Sequence, residues 1–323
     1  MDVPISVIIP FYNRADVLAR TLAGLGGQEF EGDRFEVCVV DDGSTQETSW
    51  LRDARFPFHF QLVRQENRGP AAARNLGARN VQGGILLFLD ADIIPHRELL
   101  AKHLEIHVKY SSVLVCGAVL PWRNREDSFL YSLIDLALGD TRNRYPSSTG
   151  DTIGAVPYFD TMSGNLSLSR DTFLRIGGFD EELRAHEDVE FGYRATSSGL
   201  QIIYAAEAIG FHNHPRTLQE RCRQCQHYAS YAPLLFKKHP ELFGRIDTWA
   251  ENDPIDWHRD SAKLIRRKIE LSFLALPVIL SSLKILGLAF ERHHLAIWLS
   301  RFIYWRLLNG YRHLGYREGK SRY

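Results

Sequence analysis

Asp90-Ala-Asp92 closes the apolar run Ile85-Leu-Leu-Phe-Leu89. Side chains two apart on a strand point to the same side, so both carboxylates can face one ligand. Left unpaired they repel, and one becomes hard to ionise. A hard divalent cation removes that penalty and adds a diphosphate partner. Capping of a following helix is the competing structural use. Asp41-Asp-Gly-Ser44 follows a second apolar run, 35–40. Gly43 permits a turn that exposes the carboxylates. One of them can accept the ring N–H of a uracil or guanine; a plain turn is the alternative.

His186-Glu187-Asp188 opens a helical stretch. The helix N-terminus stabilises anions there, and a carboxylate so placed can act as general base on an acceptor hydroxyl. Simple capping is the alternative use. His212-Asn-His214 ends a strand-like run, and a histidine near two aspartates can complete a metal site. Arg74 follows Asn67-Arg-Gly-Pro70. It can meet a phosphate or remain a solvated helix charge.

The elements that must position these groups are legible in order. Residues 5–10 and 85–89 are apolar runs, the pattern of strands buried on both faces, and 35–40 read as a second strand. A short strand is expected at 58–63. Helical spacing covers 14–26, where Val17, Leu18, Thr21, Leu22 and Leu25 share a face, and 70–81, with Pro70 in the first turn. Further on, strands are expected at 113–120 and 201–205, a strand or bend at 159–169, and helices at 187–198 and 217–238. The alternation implies a doubly wound α/β domain with a mainly parallel sheet and helices on both faces. Ligands bind such sheets at the carboxyl ends of the strands. Pro10-Phe-Tyr-Asn-Arg14, Asp41–Ser44 and Asp90–Asp92 all fall there. No Gly-x-Gly-x-x-Gly follows the first strand, which removes the main support for a dinucleotide site. Residues 125–155 are polar and irregular and read as a mobile loop.

The chain has 323 residues, 45% hydrophobic and 24% charged, an ordinary globular composition with room for a main domain and an appendage. Its net charge of zero carries no bias toward nucleic acid. The charge is unevenly spread. Residues 259–323 hold 13 Lys+Arg against 4 Asp+Glu, a net of +9, which leaves −9 on residues 1–258. Cys38 and Cys116 read as buried thiols, and Cys222-Arg-Gln-Cys225 lacks the second pair that a zinc site needs. The first residues enter a strand without a signal-peptide pattern. A cytoplasmic location is therefore expected, and Asn165-Leu-Ser is a chance glycosylation sequon.

Together these segments resemble family 2 glycosyltransferases. SVIIPFYNRADVLARTLAGL, VVDDGST, ENRGPAAARNLGARN, LLFLDAD, SGNLSLSRDTF, IGGFDE and HEDVEFGYR stand in that family's order, over about residues 4–240. The resemblance implies a GT-A fold and transfer of a sugar from a nucleotide-diphosphate donor to an acceptor hydroxyl, with inversion. A UDP-sugar is the default donor, and the acceptor a carbohydrate or lipid-linked molecule in polysaccharide or cell-envelope synthesis. It also implies that Pro10, Tyr12 and Asn13 border the base and Asp42 reads it. Arg74 is implied near the ribose or diphosphate. Asp90 and Asp92 form the motif for Mn²⁺ or Mg²⁺, Asp92 being the firmer ligand. Asp188 is the implied base with Glu187 beside it, His212 the implied metal-binding histidine with His214 as alternative, and Gly164-Asn165 the pocket floor. A nucleotide-sugar-binding homologue without turnover would be expected to lose Asp92 or Asp188. A nucleotidyltransferase would need a basic Gly-rich loop after the first strand, where this chain offers Asn13-Arg14.

The domain division expected is 1–245 catalytic and 246–323 helical. Residues 271–290 are mostly apolar but contain Pro277 and Lys284. A central lysine costs about 2.5–3.5 kcal/mol on insertion, so a spanning helix is marginal. In 295–308 the residues Leu295, Trp298, Phe302, Trp305 and Leu308 form a stripe interrupted by Arg301 and Arg306. That pattern fits a helix in the headgroup layer at a cytoplasmic membrane face. Packing on the catalytic domain, or on a second subunit of a homo-oligomer, is the alternative.

Overall fold

The computed structural model describes residues 4–30, 34–122, 153–213, 217–243, 249–293 and 297–323. Most of the segment 125–155, and His214, lie outside them. The chain forms two compact units: 1–123 with 138–182 and 187–214, and 124–137 with 183–186 and 215–323.

The first unit is built on one mixed sheet. Its strands are β1 (Ile5–Phe11), β2 (Phe35–Asp41), β3 (His59–Arg64), β4 (Ile85–Leu89), β5 (Ile93–Pro95), β6 (Val113–Pro121), β7 (Ile153–Ala155), β8 (Asn165–Ser169) and β9 (Gln201–His212). They run in the order β3-β2-β1-β4-β8-β6-β9-β5, with β7 on β9. β3-β2, β2-β1, β1-β4 and β6-β9 are parallel and carry most of the pairing. β8 is antiparallel to β4 and β6, and β5 is antiparallel to β9.

Helices α1 (Ala15–Gly26), α2 (Trp50–Asp53), α3 (Pro70–Asn80), α4 (Leu99–Lys109), α5 (Arg170–Ile176) and α6 (Glu187–Ser197) cover both faces. Strand residues divide between them by pleat. Ile8, Val40 and Phe88 join Ala73, Phe173 and Phe191 from α3, α5 and α6 in one core. Val7, Val39 and Leu87 join Leu18, Leu22 and Leu100 from α1 and α4 in the other. The apolar runs are explained by this two-sided burial. Gly77 brings α3 down on the sheet: a Cβ there would lie 2.5 Å from Ile8 Cγ2.

The second unit is helical: α7 (Leu218–Lys238), α8 (Ala262–Leu274), α9 (Pro277–His293) and α10 (Ile297–Arg322). Thr217 and Glu220 close a capping box at the start of α7. Gly315 and Gly319 of α10 lie against the backbone carbonyls of Gln226 and Ser230 on α7, closer than any side chain would allow. This packing groups α7 with the C-terminal helices, so the division falls before α7 rather than after it. The apolar segment 271–290 is not one helix. Pro277 opens α9 at a sharp break, because its ring cannot continue α8 and it lacks an N–H. Leu295, and the side chain of Trp298, lie outside the described residues.

Candidate active site

Three strand ends of the first unit supply the site. At the first, Asn13 and Arg14 take left-handed backbone conformations, φ 57° and 62°. Asn13 Oδ1 accepts from the Thr45 and Gln46 amides at 3.0 and 3.2 Å, and Ser44 Oγ accepts from the Asn13 amide at 2.8 Å. The loops after β1 and β2 are thereby tied together. Pro10 lies opposite Val40 in the β1–β2 register, and the Tyr12 ring stands half-exposed at the loop.

Asp42 is buried. Its Oδ1 accepts from Gln65 Nε2 at 2.7 Å and from the Arg68 amide at 2.9 Å, and Oδ2 from the Gly69 amide at 2.9 Å. A carboxylate has about four acceptor positions, so this one has little capacity left. Asp42 thus fixes the turn into α3. Gly69, at φ 94°, makes that turn, and Pro70 starts the helix. Neighbouring Asp41 is spent on the Ser44 amide and Arg64.

Arg74 is neither a solvated helix charge nor open to a phosphate. Its side chain is 4% exposed. Nη2 donates to Asp90 Oδ1 at 2.6 Å and Nη1 to Glu187 Oε1 at 2.8 Å, while Nε has no hydrogen-bond partner among the described residues. Arg74 therefore bridges the end of β4 to the start of α6. The signal for this lay in three segments far apart in sequence, which spacing alone cannot join.

Asp90 keeps its second oxygen over Gly164. A Cβ at that glycine would stand 2.8 Å from Asp90 Oδ2, and the Asp90 amide donates to Gly164 O at 3.1 Å. Asp92 is brought to His212 by the pairing of β5 with β9, which sets Ile93 opposite His212. Asp92 Oδ2 lies 3.4 Å from His212 Nε2. No group of three or more Asp, Glu, His or Cys converges among the described residues. The Asp92 carboxylate suits Mn²⁺ or Mg²⁺, while an imidazole beside it fits Mn²⁺ better than Mg²⁺, which prefers oxygen ligands; such ions commonly keep waters and substrate phosphates in their other positions.

Asp188 is half-buried in the first turn of α6. Oδ1 accepts from the Val189 amide at 2.9 Å, and Oδ2 faces the Ser163 amide at 3.5 Å, next to Gly164. Burial raises its pKa, against the pull of the Val189 amide and Arg74. Burial, then the Asp188 charge, also raises Glu187, against Arg74. Glu187 is tied to Arg74 through Oε1, while Asp188 accepts from the Val189 amide through Oδ1.

Around Asn165 lies a buried network that sequence reasoning missed. His103 of α4 is fully buried, with Nδ1 2.7 Å from Ser167 Oγ and Nε2 2.9 Å from Asn165 Oδ1. His107 Nε2 is 2.8 Å from the same Ser167 oxygen. The Asn165 amide donates to Ala118 O and Ala208 O, so the sequon is buried inside the sheet. Burial lowers His103 to about 4, and burial with the His103 charge lowers His107 to about 3. Their i, i+4 spacing was the available signal. Asn75, also missed, clamps the Gly177-Gly-Phe179 turn through reciprocal bonds to Phe179. All four cysteines are free. Burial pushes Cys38 up to about 11 and Cys116 and Cys222 up to about 12.

The model of glycosyl transferase family 2 matches residues 6–176. Validoxylamine A glucosyltransferase of Streptomyces hygroscopicus subsp. jinggangensis is 30% identical over 278 residues, covering 75% of this chain and 63% of the relative. Glycosyltransferase AglE of Haloferax volcanii is 30% identical over 215 residues, covering 64% and 66%. The chain thus spans just under two thirds of these relatives' lengths. Mannosyltransferase PcManGT from Pyrobaculum calidifontis, solved with GDP-Man and Mn²⁺, superposes with a TM-score of 0.61 at 20% identity over 100% of this chain and 88% of that one. TarS of S. aureus gives 0.53 at 18% identity, over 93% and 55%. These likenesses show a shared GT-A-type fold. By the family match, the ordered motifs and the fold, this chain belongs to glycosyl transferase family 2.

Proposed function

We propose that this chain transfers a sugar from a nucleoside-diphosphate donor to an acceptor hydroxyl in one displacement that inverts the anomeric carbon. The observation that carries the reading is the placement of Asp188 beside Ser163 and Gly164, with Gly164 also lining Asp90 and Arg74 holding Asp90 and Glu187 in register. Asp188 takes the acceptor proton. The acceptor oxygen bonds to the anomeric carbon, the bond from that carbon to the diphosphate breaks, and the nucleoside diphosphate leaves. A raised pKa makes Asp188 a stronger base than an ordinary aspartate.

Asp92 and His212 would hold Mn²⁺ or Mg²⁺, with Asp90 beside them. When bound, the cation neutralises charge on the departing diphosphate. Arg74 fixes Asp90 and Glu187 so that neither drifts into the donor site. Tyr12, with Pro10 and Asn13, borders the base, and Asp42 acts there mainly by holding the 65–69 turn. PcManGT was solved with GDP-Man and Mn²⁺, and TarS residues 1–349, at a TM-score of 0.52, with UDP. Both support a nucleotide-sugar donor, and a UDP-sugar is our default. A carbohydrate or lipid-linked acceptor in polysaccharide or cell-envelope synthesis is the matching class.

Calorimetric titration tests this directly. UDP or GDP should bind the wild type more tightly with Mn²⁺ present, and Asp92→Asn should remove that gain. Metal-independent binding of both nucleotides would reject the metal assignment.

A further inference from the structure

We propose that the corner between α8 and α9 inserts into an anionic lipid surface. The corner presents apolar side chains to solvent: Phe273, Leu276 and Val278 are 55%, 48% and 75% exposed. Ile269 extends the stripe backward along one face of α8, and Ile285, 68% exposed, extends it along α9. The opposite faces are already used. Leu271, Leu274 and Leu280 are buried, and Leu280 packs with Tyr304 and Leu307 of α10. The exposed stripe is therefore surplus to the core of this unit, and a contiguous apolar surface of this kind marks an interaction site.

The shape of the segment favours a wedge over a span. Among the described residues no single helix is long and apolar enough to cross a membrane, while 262–274 with 277–289 together pass that test but bend by 74° at the break. Pro277 at the turn lets the chain enter apolar surroundings and return.

Charge decides between lipid and a second copy. Residues 259–323 carry a net +9. Lys263 and Arg266 on α8 and Arg301 on α10 are exposed. Glu270 is already held by Arg267 at 2.9 Å and faces Arg306 at 3.9 Å. Arg306 lies 3.6 Å over the half-exposed Phe302 ring, and Arg267 4.7 Å over Trp305, the pairing of rings and cations found at headgroup level. Two copies meeting through this face would oppose like charges, whereas an anionic leaflet pairs with them.

The test is flotation of the full chain with vesicles of phosphatidylcholine alone or mixed with phosphatidylglycerol. Wild type should float with the mixed vesicles, and raised salt should weaken this. Leu276→Asp with Val278→Asp should lower the partition coefficient at least tenfold, with the circular-dichroism melt and Mn²⁺-dependent nucleotide binding unchanged. Lys263→Glu with Arg266→Glu should reduce the preference for anionic vesicles. Wild type that stays unbound at low salt, or an apolar-to-aspartate variant that binds as wild type does, would overturn the proposal. So would a wild-type dimer, by analytical ultracentrifugation, that the same variant dissociates while vesicle binding is absent.

Discussion

Asp92 Oδ2 faces His212 Nε2 at 3.4 Å, across the pairing of β5 with β9. The backbone supports the approach, since the Asn213 amide donates to Asp92 O at 2.7 Å. A cation between them would draw on both donors. Asp92→Asn should remove most activity and leave the fold intact, because a neutral amide cannot balance the charge. His212→Ala should weaken Mn²⁺ binding at least tenfold in calorimetry. Wild-type turnover in excess EDTA would overturn both expectations.

Asp188→Asn should reduce turnover by about two to four powers of ten, the usual share of a general base. Donor affinity should be retained, since Asp188 is assigned to the acceptor side. A variant that loses donor affinity but keeps its turnover number would reverse that assignment.

Arg74→Met should destabilise the fold by about 3–5 kcal/mol, because it leaves Glu187 buried without its cation. Adding Glu187→Gln should recover part of the loss. Urea denaturation of the single and double variants measures the coupling. Additive losses would show that the bridge contributes little.

The legible parts of the fold share one property: they are local. β1, β2 and β4 announce themselves as mainly apolar runs because both faces are covered, and Pro70 and Gly199 mark helix ends within a residue or two. α4 was hidden because its buried stripe, Leu99, Leu100, His103 and Ile106, has a histidine where an apolar residue is expected. β5 is three residues long and exists only through its distant partner β9. β9 runs past the expected 201–205 because its register against β6 shifts between Gly117 and Ala118, which breaks the alternation. In the site, Asp90, Asp92 and Asp188 were readable as residues at element ends. The commitments of Arg74 and Asp42 to protein partners were not, since both depend on chain segments brought together by the sheet and the turn into α3.

His103 and His107 give a pH dependence with a definite sign. Both have folded pKa values, about 4 and about 3, below the ordinary 6.5. As pH falls below 6.5 the unfolded chain takes up protons that the folded chain refuses. Stability should therefore be full above about pH 6.5 and decline toward pH 4, by up to about 1.4 kcal/mol per pH unit for each histidine. His103→Gln with His107→Gln should flatten the decline in melts between pH 7 and 4.5. An unchanged slope would assign the acid sensitivity elsewhere.

The most direct measurement is product release from a panel of UDP-, GDP- and TDP-sugars with Mn²⁺ and simple carbohydrate acceptors, followed by ³¹P and ¹H NMR. Release of nucleoside diphosphate from one donor class is expected, with a product of inverted anomeric configuration and loss of both signals in Asp188→Asn. Release of pyrophosphate, or a product that retains the donor's configuration, would contradict the proposed function.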